Sequence, residues 1–351
     1  MAIKVVGLDI GTTMMRAAEV AASGRGGDTV GTLVKYAEMP MPVGAVSDGE
    51  VHEARTTASM VKQLWSQGGF STKDVVVGIG NARTVVREME MAELPMNQLR
   101  QSLPFHVEEF LPMSTDEALL DYYPTSQLER DGGTALRGML VAAAKHSVAT
   151  TVLAIESAGL KPQGVDLKAF AMMRALVRGQ WAQSTVALVD IGARTTTVVV
   201  AEAGQPRLIR MLASGGQDTT EAIASATQAT HQDAERFKRE IGLQASQDPS
   251  HKVASDAVGT TSKTLVEGIR NTFVYYTGNN PGAGIQHVIL TGGGALMPGL
   301  GQYLASACRL PVSFGDATSS LKTSKKVASA VKGREALISV PVGLAMAEVE
   351  K

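Results

Sequence analysis

The sequence contains a single cysteine and no long apolar run. One thiol cannot form a disulfide within the chain, so we interpret Cys308, four residues after Leu304 in a helical pattern, as a buried structural thiol in a reducing compartment. A membrane-spanning helix needs about 20 consecutive apolar residues, and no run approaches that length. The apolar segment at residues 3–10 is interrupted by Asp9 and is not expected to be a secretory signal. We therefore expect a cytosolic protein.

The chain also lacks an excess of charge of either sign. Its 33 basic and 34 acidic residues give a formal net charge of −1, so we expect no binding to nucleic acid, which requires a basic surface. Apolar residues make up 44% and charged residues 19%, proportions that are typical of a soluble globular protein. The length of 351 residues is sufficient for two domains of ordinary size.

A glycine turn follows the first predicted strand. The apolar run at residues 3–6 predicts a buried strand, and the chain continues as GLDIGTT at residues 7–13. The backbone N–H groups of such a turn bind anions, and a carboxylate at the strand end suits a magnesium ion that bridges to phosphate oxygens. Taken alone, the segment is as typical of a hairpin without a ligand as it is of a phosphate-binding loop.

The same pattern occurs a second time. An apolar run at residues 185–189 leads into DIGART at residues 190–195, and in both halves the order is strand, turn, strand, turn, strand. A duplication of a whole supersecondary unit is far harder to obtain by chance than one motif. Two equivalent turns that face each other across a cleft would hold a phosphate chain from both sides.

Two further glycine segments lie beside predicted helices. Gly215 and Gly216 precede a helix N-terminus and indicate an anion-facing loop, and Asp218 with Glu221 has the form of a capping box. A buried strand at residues 287–291 runs into three glycines, whose missing side chains would let a purine and its ribose approach the backbone closely.

Glu235 and Lys238 are three residues apart on a predicted helix and project from one face. From the residues alone, a surface salt bridge and a ligand contact both remain open.

Residues 84–163 are predicted to form an inserted unit with the element order β-α-β-β-α.

With the two aspartate-glycine turns and the glycines at 292–294 in this order, the chain resembles the actin/Hsp70/sugar-kinase superfamily. The resemblance implies an α/β chain with a duplicated actin-like (ribonuclease H-like) fold, two lobes around a nucleotide cleft. Within the superfamily the chain is similar to the bacterial FtsA and PilM families, whose second-half motifs it carries at residues 214–223 and 234–238. Their small α/β 1C subdomain resembles residues 84–163.

The PilM family fits better and over nearly the whole chain, through phrases at residues 42–49, 105–112, 116–122, 141–145 and 340–345. The chain departs from that family where Thr12 and Thr13 replace serines and Arg16 replaces a lysine, and these replacements keep the hydroxyls and the positive charge.

The resemblance implies four subdomains. Subdomain 1A of the first lobe takes residues 1–83 and 164–184, with the C-terminal helix 341–351 packing back on it, and the inserted subdomain 1C takes residues 84–163. The second lobe divides into 2A (residues 185–216 and 285–340) and 2B (residues 217–284).

The resemblance also implies a ligand, ATP or ADP with Mg²⁺, and assigns its contacts. The phosphates would be held by Gly11, Thr12, Thr13, Arg16, Gly192 and Thr195. Asp9 and Asp190 would position the magnesium ion through water. Gly215 and Gly216 would face the phosphates or the ribose. Glu235 and Lys238 would meet the ribose and the adenine edge, and the run Gly292, Gly293 and Gly294 would meet the adenosine. No catalytic residue can be named, although Asp166 lies near the superfamily's connecting segment, and we expect slow or absent ATP hydrolysis.

PilM-like proteins resemble nucleotide-bound adaptors. The implied partner is the cytoplasmic N-terminal peptide of the membrane protein PilN, bound beside the inserted subdomain, with pilus motor ATPases and other inner-membrane pilus proteins as further partners. The chain would then lie at the inner face of the cytoplasmic membrane through these partners. Two alternatives stay open: an FtsA-like filament-forming division protein, which would continue into an amphipathic membrane helix, and a sugar-kinase-like phosphotransferase, which would need a catalytic aspartate and a sugar pocket.

Overall fold

The computed structural model describes residues 3–23, 30–130, 133–244 and 248–347. Its strands are β1 Ile3–Ile10, β2 Met14–Ser23, β3 Val30–Pro40, β4 Val46–Ser47, β5 Glu50–Val51, β6 Asp74–Ile79, β7 Val85–Ala92, β8 Ala118–Arg130, β9 Gly133–Ala144, β10 Lys161–Leu167, β11 Thr185–Ile191, β12 Thr196–Glu202, β13 Gln205–Leu212, β14 His287–Thr291, β15 Val312–Phe314 and β16 Lys322–Thr323. Its α-helices are α1 Ala54–Gly68, α2 Met96–Val107, α3 Lys145–Ser157, α4 Lys168–Leu176, α5 Gly216–Thr227, α6 His231–Glu240, α7 Lys252–Asn279, α8 Leu300–Cys308, α9 Lys325–Val331 and α10 Ser339–Met346. The end of the predicted C-terminal helix, residues 348–351, lies outside the described residues.

The first sheet has six strands in the order β10-β6-β1-β2-β3-β16. Strand β1 runs antiparallel to β2 and parallel to β6, and its Val6 and Leu8 have no exposed surface. Helices cover both faces of this sheet, which is why β1 reads as an unbroken apolar run rather than an alternating one. Helices α1 and α3 pack on one face, and α4 and α10 pack on the other.

The second sheet repeats this arrangement. Its order is β13-β12-β11-β14-β15, which matches β3-β2-β1-β6-β10 strand for strand, with the same antiparallel and parallel pairings. The duplication read from the two turns is therefore confirmed. Helices α5, α7 and α8 cover its outer face. Its inner face shares one core with α4 and the first sheet, so α4 lies between the two sheets.

Residues within 84–163 form a separate three-stranded sheet in the order β7-β9-β8, against which α2 buries Leu99, Leu103 and Val107. Helix α3 does not join this core, because its Ala154 and Ile155 pack in the core of the first lobe. Strand β10 pairs with β6 from residue 161 onward. The boundary of the inserted subdomain at residues 163 and 164 remains a prediction. The two elements beside it, α3 and β10, pack with the first lobe.

Two elements near the end of the chain also lie on the first lobe. Strand β16, predicted in subdomain 2A, pairs with β3 at the edge of the six-stranded sheet, and α10 packs on β1 and α4.

Cys308 is the last residue of α8. It is only partly buried, whereas the sequence predicts that it is buried. Within the described part of the chain, no helix combines the length and apolarity that crossing a membrane requires.

Candidate functional site

The two predicted glycine turns share the same hydrogen bond. In the first, the N–H of Gly11 donates to the carbonyl of Met14 at 3.0 Å, and in the second the N–H of Gly192 donates to the carbonyl of Thr195, also at 3.0 Å. The chain therefore closes each strand–turn–strand unit in the same way, and the residues before and after the bond occupy equivalent positions in the two lobes.

Both turns face one cavity of about 310 Å³, hereafter the cleft, which is within the size range of small-molecule sites. All predicted site residues except Gly215 line it: Asp9, Gly11, Thr12, Thr13, Arg16, Asp190, Gly192, Thr195, Gly216, Glu235, Lys238, Gly292, Gly293 and Gly294. The tertiary fold thus brings together residues from both halves of the chain that the motifs assigned to one ligand.

Lys168 also lines the cleft, and sequence reasoning missed it. Its Nζ lies 2.7 Å from Oδ1 of Asp9 and donates to the carbonyl of Ile10 at 3.0 Å. The residue is the first of α4, directly after β10. The only signal in the sequence is indirect: the carboxyl ends of parallel strands meet at one edge of a sheet, but the sequence pattern does not assign β10 to the sheet of β1.

Asp190 carries an unfavourable charge. Burial, and then the nearby carboxylate of Asp9, raise the pKa of Asp190 to about 6, while Lys168 and Arg16 act in the opposite direction. A bound cation would relieve this cost. No cluster of three or more His, Cys, Asp or Glu side chains suitable for a metal occurs among the described residues. Two carboxylates suit Mg²⁺, which proteins usually hold together with substrate phosphates and water.

Arg16 is held in place by a neighbouring strand. Its Nε donates to Oε2 of Glu38 at 3.2 Å, and the hydroxyl of Tyr36 donates to the same oxygen at 2.6 Å. Burial alone would lower the pKa of Arg16, but interactions with Tyr36, Asp9 and Glu38 outweigh it and raise that pKa. The guanidinium therefore stays charged at the cleft.

The structure does not bring Gly215 into the cleft. Its N–H donates to Oδ2 of Asp218 at 3.0 Å, and the N–H of Gly216 donates to the carbonyl of Gly192 at 2.9 Å. These two N–H groups are thus used within the protein and not by the predicted anion-facing loop. A Cβ at position 215 would lie 2.5 Å from the carbonyl oxygen of Ala193, so glycine is required there for close packing of the second turn.

Glu235 and Lys238 form an ion pair that lines the cleft. Lys238 is buried, so the pair is not the surface salt bridge that the sequence left open, and contact with a ligand stays a prediction. The Nζ of Lys238 lies 2.6 Å from Oε2 of Glu235 and donates at 2.8 Å to the carbonyl of Gly216 and to Thr220. Burial lowers the pKa of Lys238. Burial would raise the pKa of Glu235, but the hydrogen bonds from Lys238 and Thr220 outweigh it, and that pKa is lowered.

The three glycines after β14 differ in what surrounds them. A Cβ on Gly292, whose φ is +87°, would lie 2.3 Å from Oδ1 of Asp190, and a Cβ on Gly294 would lie 2.5 Å from Ile191. A Cβ on Gly293 would have no atom within 4 Å. Two of the glycines are therefore needed for packing against the second turn, and Gly293 alone presents bare backbone to open space.

A second cavity, of about 490 Å³, lies beside the cleft and is called the groove below. It runs between β8 and β10, each of which is an edge strand of its own sheet. Its lining is mostly apolar: Ile79, Met96, Arg100, Leu119, Leu120, Asp121, Tyr122, Tyr123, Pro124, Val141, Ala143, Val148, Val165, Asp166, Leu167, Phe170 and Arg174. Asp166 lies here and not in the cleft, and its carboxylate pairs with Arg174.

Comparisons with known proteins bear on this arrangement. Residues 7–349 match the family described as type IV pilus assembly protein PilM. The chain is 22% identical over 303 residues to the cell division protein FtsA of Bacillus subtilis (strain 168), which covers 74% of this chain and 68% of that protein.

Among solved structures, a PilM-PilN type IV pilus biogenesis complex has a TM-score of 0.86 and 24% identity over 99% of both chains. MreB5 of Spiroplasma citri, solved with AMPPNP bound, has a TM-score of 0.56 and 13% identity over 98% of this chain and 96% of the other. The predicted actin-like fold is confirmed by these likenesses.

The family match extends over nearly the whole chain, whereas FtsA is a distant relative. The family match favours the pilus family over the FtsA-like and sugar-kinase-like alternatives that the sequence left open. The chain belongs to the family of the type IV pilus assembly protein PilM.

Proposed function

We propose that this chain is an ATP-binding adaptor of the type IV pilus inner-membrane complex. It binds the cytoplasmic N-terminal peptide of PilN and links the membrane platform to cytoplasmic motor components, and it lies at the inner face of the cytoplasmic membrane through these partners. The observation that carries the proposal is the groove between β8 and β10, an apolar channel beside the inserted sheet. A structure similar to this chain was solved as a PilM-PilN complex.

An extended peptide suits the groove. The edge strand of a sheet presents backbone N–H and C=O groups on one side, and a peptide can add to such an edge as a further strand. Here two edges, β8 and β10, face the same channel. The groove also presents exposed apolar side chains, with Leu119 and Tyr123 each 43% and Val165 37% exposed, and these would be buried under apolar side chains of the peptide.

The cleft would hold ATP, or ADP, with Mg²⁺. Asp9 and Asp190 would hold the ion together with the phosphates, and the glycine turns with Arg16 would hold the phosphates themselves. The ion would supply positive charge that neutralises the phosphate oxygens. Glu235 and Lys238 would meet the ribose and adenine. MreB5, which has the same fold, was solved with AMPPNP, and this supports a nucleotide in the corresponding cleft.

The arrangement favours a nucleotide-bound adaptor over a fast ATPase. Phosphoryl transfer requires a residue that orients the attacking water. Of the acidic residues that line the cleft, Asp9 and Asp190 are proposed to hold the ion, and Glu235 is paired with Lys238. Asp166, the residue that the superfamily resemblance suggested, lines the groove instead. We expect ATP to be hydrolysed slowly or not at all.

A peptide titration tests the proposal. A synthetic peptide that copies the PilN N-terminus from the same organism is added to the purified full chain, with and without Mg-ATP, and we expect saturable binding. Leu119→Glu, which places a charge in the groove, should weaken binding by about 10-fold or more, because burying an unpaired carboxylate is costly. Leu153→Glu is the matched control, since Leu153 is 55% exposed and does not line the groove.

Two results would contradict the proposal. Absence of saturable binding by the wild-type chain, with ATP still bound, would mean that the partner is not this peptide. Equal weakening by Leu119→Glu and Leu153→Glu would mean that the peptide binds elsewhere.

A further inference from the structure

Positive charge is concentrated in one short segment of this nearly neutral chain. Residues 317–334 contain five basic residues and no aspartate or glutamate. Since the whole chain carries −1, this segment carries +5 and the remaining residues together carry −6. Such an uneven distribution creates a local positive potential that the net charge does not reveal. The five cations are Lys322, Lys325, Lys326, Lys332 and Arg334.

The fold presents all five cations to solvent. Helix α9 buries Val327 and Val331 in the core between the two sheets, so its lysines lie on the opposite, exposed face. Lys322 is exposed on β16, at the edge of the six-stranded sheet. Among the described residues, Arg334 alone of the five has an acidic partner, Glu38. The five cations thus form one exposed surface, called the basic face below.

The basic face offers a partner charge and little else. No large apolar or aromatic side chain is exposed within residues 317–334, and the exposed residues between the cations are threonine, serine and alanine. A protein interface depends on a few large side chains that fill pockets, and single-stranded nucleic acid is held by aromatic side chains on which its bases stack. A surface with charge alone suits a broad anionic partner, such as a bilayer with anionic headgroups.

The basic face lies on the groove side of the molecule. A cavity of about 550 Å³ adjoins the groove and shares Tyr123, Phe170 and Arg174 with its lining. Ser320, two residues before Lys322, also lines this cavity. A peptide in the groove that is anchored in the membrane would therefore bring the basic face close to the bilayer. Tethering of this kind raises the effective concentration for a second, weaker contact.

We propose that the basic face binds the anionic headgroups of a lipid bilayer directly, while the groove holds the anchored peptide. This goes beyond the proposed function, in which the chain reaches the membrane through partners, and it rests on that function only for the position of the peptide. Because Val327 and Val331 are buried in the core, the contact is electrostatic and inserts no apolar side chain. Added salt therefore weakens it.

The test measures cosedimentation of the full chain with lipid vesicles. Vesicles of phosphatidylglycerol mixed with phosphatidylcholine are compared with vesicles of phosphatidylcholine alone, at low and at high salt. A triple variant removes three charges from α9 through Lys325→Gln, Lys326→Gln and Lys332→Gln. Thermal unfolding confirms that each variant is folded.

The matched control removes three exposed lysines elsewhere and so has the same net charge. Its substitutions are Lys62→Gln on α1, Lys252→Gln and Lys263→Gln on α7. Helix α1 packs on the other face of the six-stranded sheet from α9, and α7 covers the outer face of the second sheet. A difference between the two triple variants therefore reports the position of the charge and not its amount.

We expect the wild type to bind only the anionic vesicles and to be released at high salt. Each basic residue near an anionic bilayer strengthens binding by about 5-fold, so the α9 triple variant should bind about 100-fold more weakly. The control should bind like the wild type. If the α9 triple variant does not fold, Lys326→Gln alone carries the test, with an expected loss of about 5-fold.

Absence of binding to anionic vesicles by the wild type, or equal weakening by the α9 variant and the control, would overturn the inference. Binding to duplex DNA or polyglutamate without binding to vesicles would also overturn it, because the basic face would then serve another class of partner.

Peptide binding is measured separately, so the inference and the proposed function can fail independently. The α9 triple variant should bind the PilN N-terminal peptide like the wild type, since none of its three changed residues lines the groove. Normal peptide binding without vesicle binding would overturn the inference alone. Vesicle binding without peptide binding would overturn the proposed function alone.

Discussion

Charge at the ends of β1 and β11 is concentrated in two carboxylates, Asp9 and Asp190, and two cations, Lys168 and Arg16. The cations lower the pKa of Asp190, but not enough to offset burial and the like charge of Asp9. The ligand-free chain therefore holds Asp190 in an environment that disfavours its ionised form. A site with this character favours a bound cation, because the cation supplies the charge that the protein does not.

This cost predicts a pH dependence of stability. The pKa of Asp190 rises from 3.8 to about 6 on folding, so the native state binds the proton more tightly. The stability that the protonated carboxyl gives is fully present below pH 3.8 and is lost as the pH rises through about 6. Asp190→Asn removes the loss and should gain about 3 kcal/mol over the wild type at pH 7.5, at about 1.36 kcal/mol per pKa unit, and this gain should shrink to about 0.5 kcal/mol near pH 4.

The measurement is urea unfolding of both proteins at several pH values in EDTA, without nucleotide. Groups shared by the two proteins cancel in the difference. A difference that does not vary with pH would contradict the assignment of the raised pKa to Asp190.

At the scale of elements, helices α4 and α10 approach each other through a glycine. A Cβ on Gly343 of α10 would lie 1.7 Å from the carbonyl oxygen of Ala171 on α4, and Nε of Arg174 donates to the carbonyl of Gly343 at 3.0 Å. Since the obstructing atom belongs to the backbone, it cannot move aside as a side chain could. Close contact between these helices sets where α4, and with it Lys168, lies between the two sheets.

Gly343→Ala should therefore destabilise the chain by about 1–3 kcal/mol or more, the cost of overpacking a filled interior. Gly259→Ala is the matched control within a helix. A Cβ at that position in α7 would meet no atom within 4 Å, so the change should stabilise by about 0.5–1 kcal/mol, the gain for alanine over glycine in a helix. Denaturant unfolding of both variants measures the two effects, and a loss of stability at position 259 equal to that at 343 would refute the packing argument.

At the start of α5, tertiary contacts replace a capping pattern that the local sequence predicts. The sequence predicts that Asp218 opens the helix in a capping box with Glu221, but α5 begins at Gly216 and the carboxylate of Asp218 accepts a hydrogen bond from the N–H of Gly215. Glu221 instead pairs with Arg194, whose Nη1 donates to its Oε2 at 2.9 Å. The second turn, which carries Arg194, packs on the helix start and moves that start toward the glycines.

At the scale of the whole molecule, the cleft collects residues from both sheets, and a ligand there binds only the folded chain. Mass action then predicts that Mg-ATP at 100 times its Kd stabilises the chain by about 2.7 kcal/mol. Gly293→Val should leave the stability of the ligand-free chain almost unchanged, since a Cβ there meets no atom within 4 Å and the residue has helical dihedrals. The added side chain should nevertheless remove the stabilisation by Mg-ATP, because it would occupy the space proposed for adenosine.

Thermal unfolding of the wild type and Gly293→Val, each with and without Mg-ATP, measures both effects. An undiminished ATP shift in the folded variant would mean that the glycine run does not face the nucleotide.

The sequence by itself determined the duplicated architecture, and all but one of the residues that it assigned to the ligand line the cleft. Both depend on local patterns: a strand, an acid-glycine turn and a strand are contiguous in the chain, and their repetition at residues 9 and 190 is visible without knowing any long-range contact. Gly215 is the exception. Its neighbour Ala193 lies in the other segment of the site, and only the contact between them shows that the residue serves packing.

The tertiary structure decided the rest. Lys168 meets the carbonyl of Ile10 across 158 residues of sequence, because β10 joins β6 at the edge of the first sheet. Helix α3 leaves the inserted sheet because its apolar face is buried in the core of the first lobe, together with α1. The groove exists only because two sheet edges, β8 and β10, come to lie side by side. Each of these features depends on pairing between distant segments, which hydrophobic periodicity and local turn chemistry do not encode.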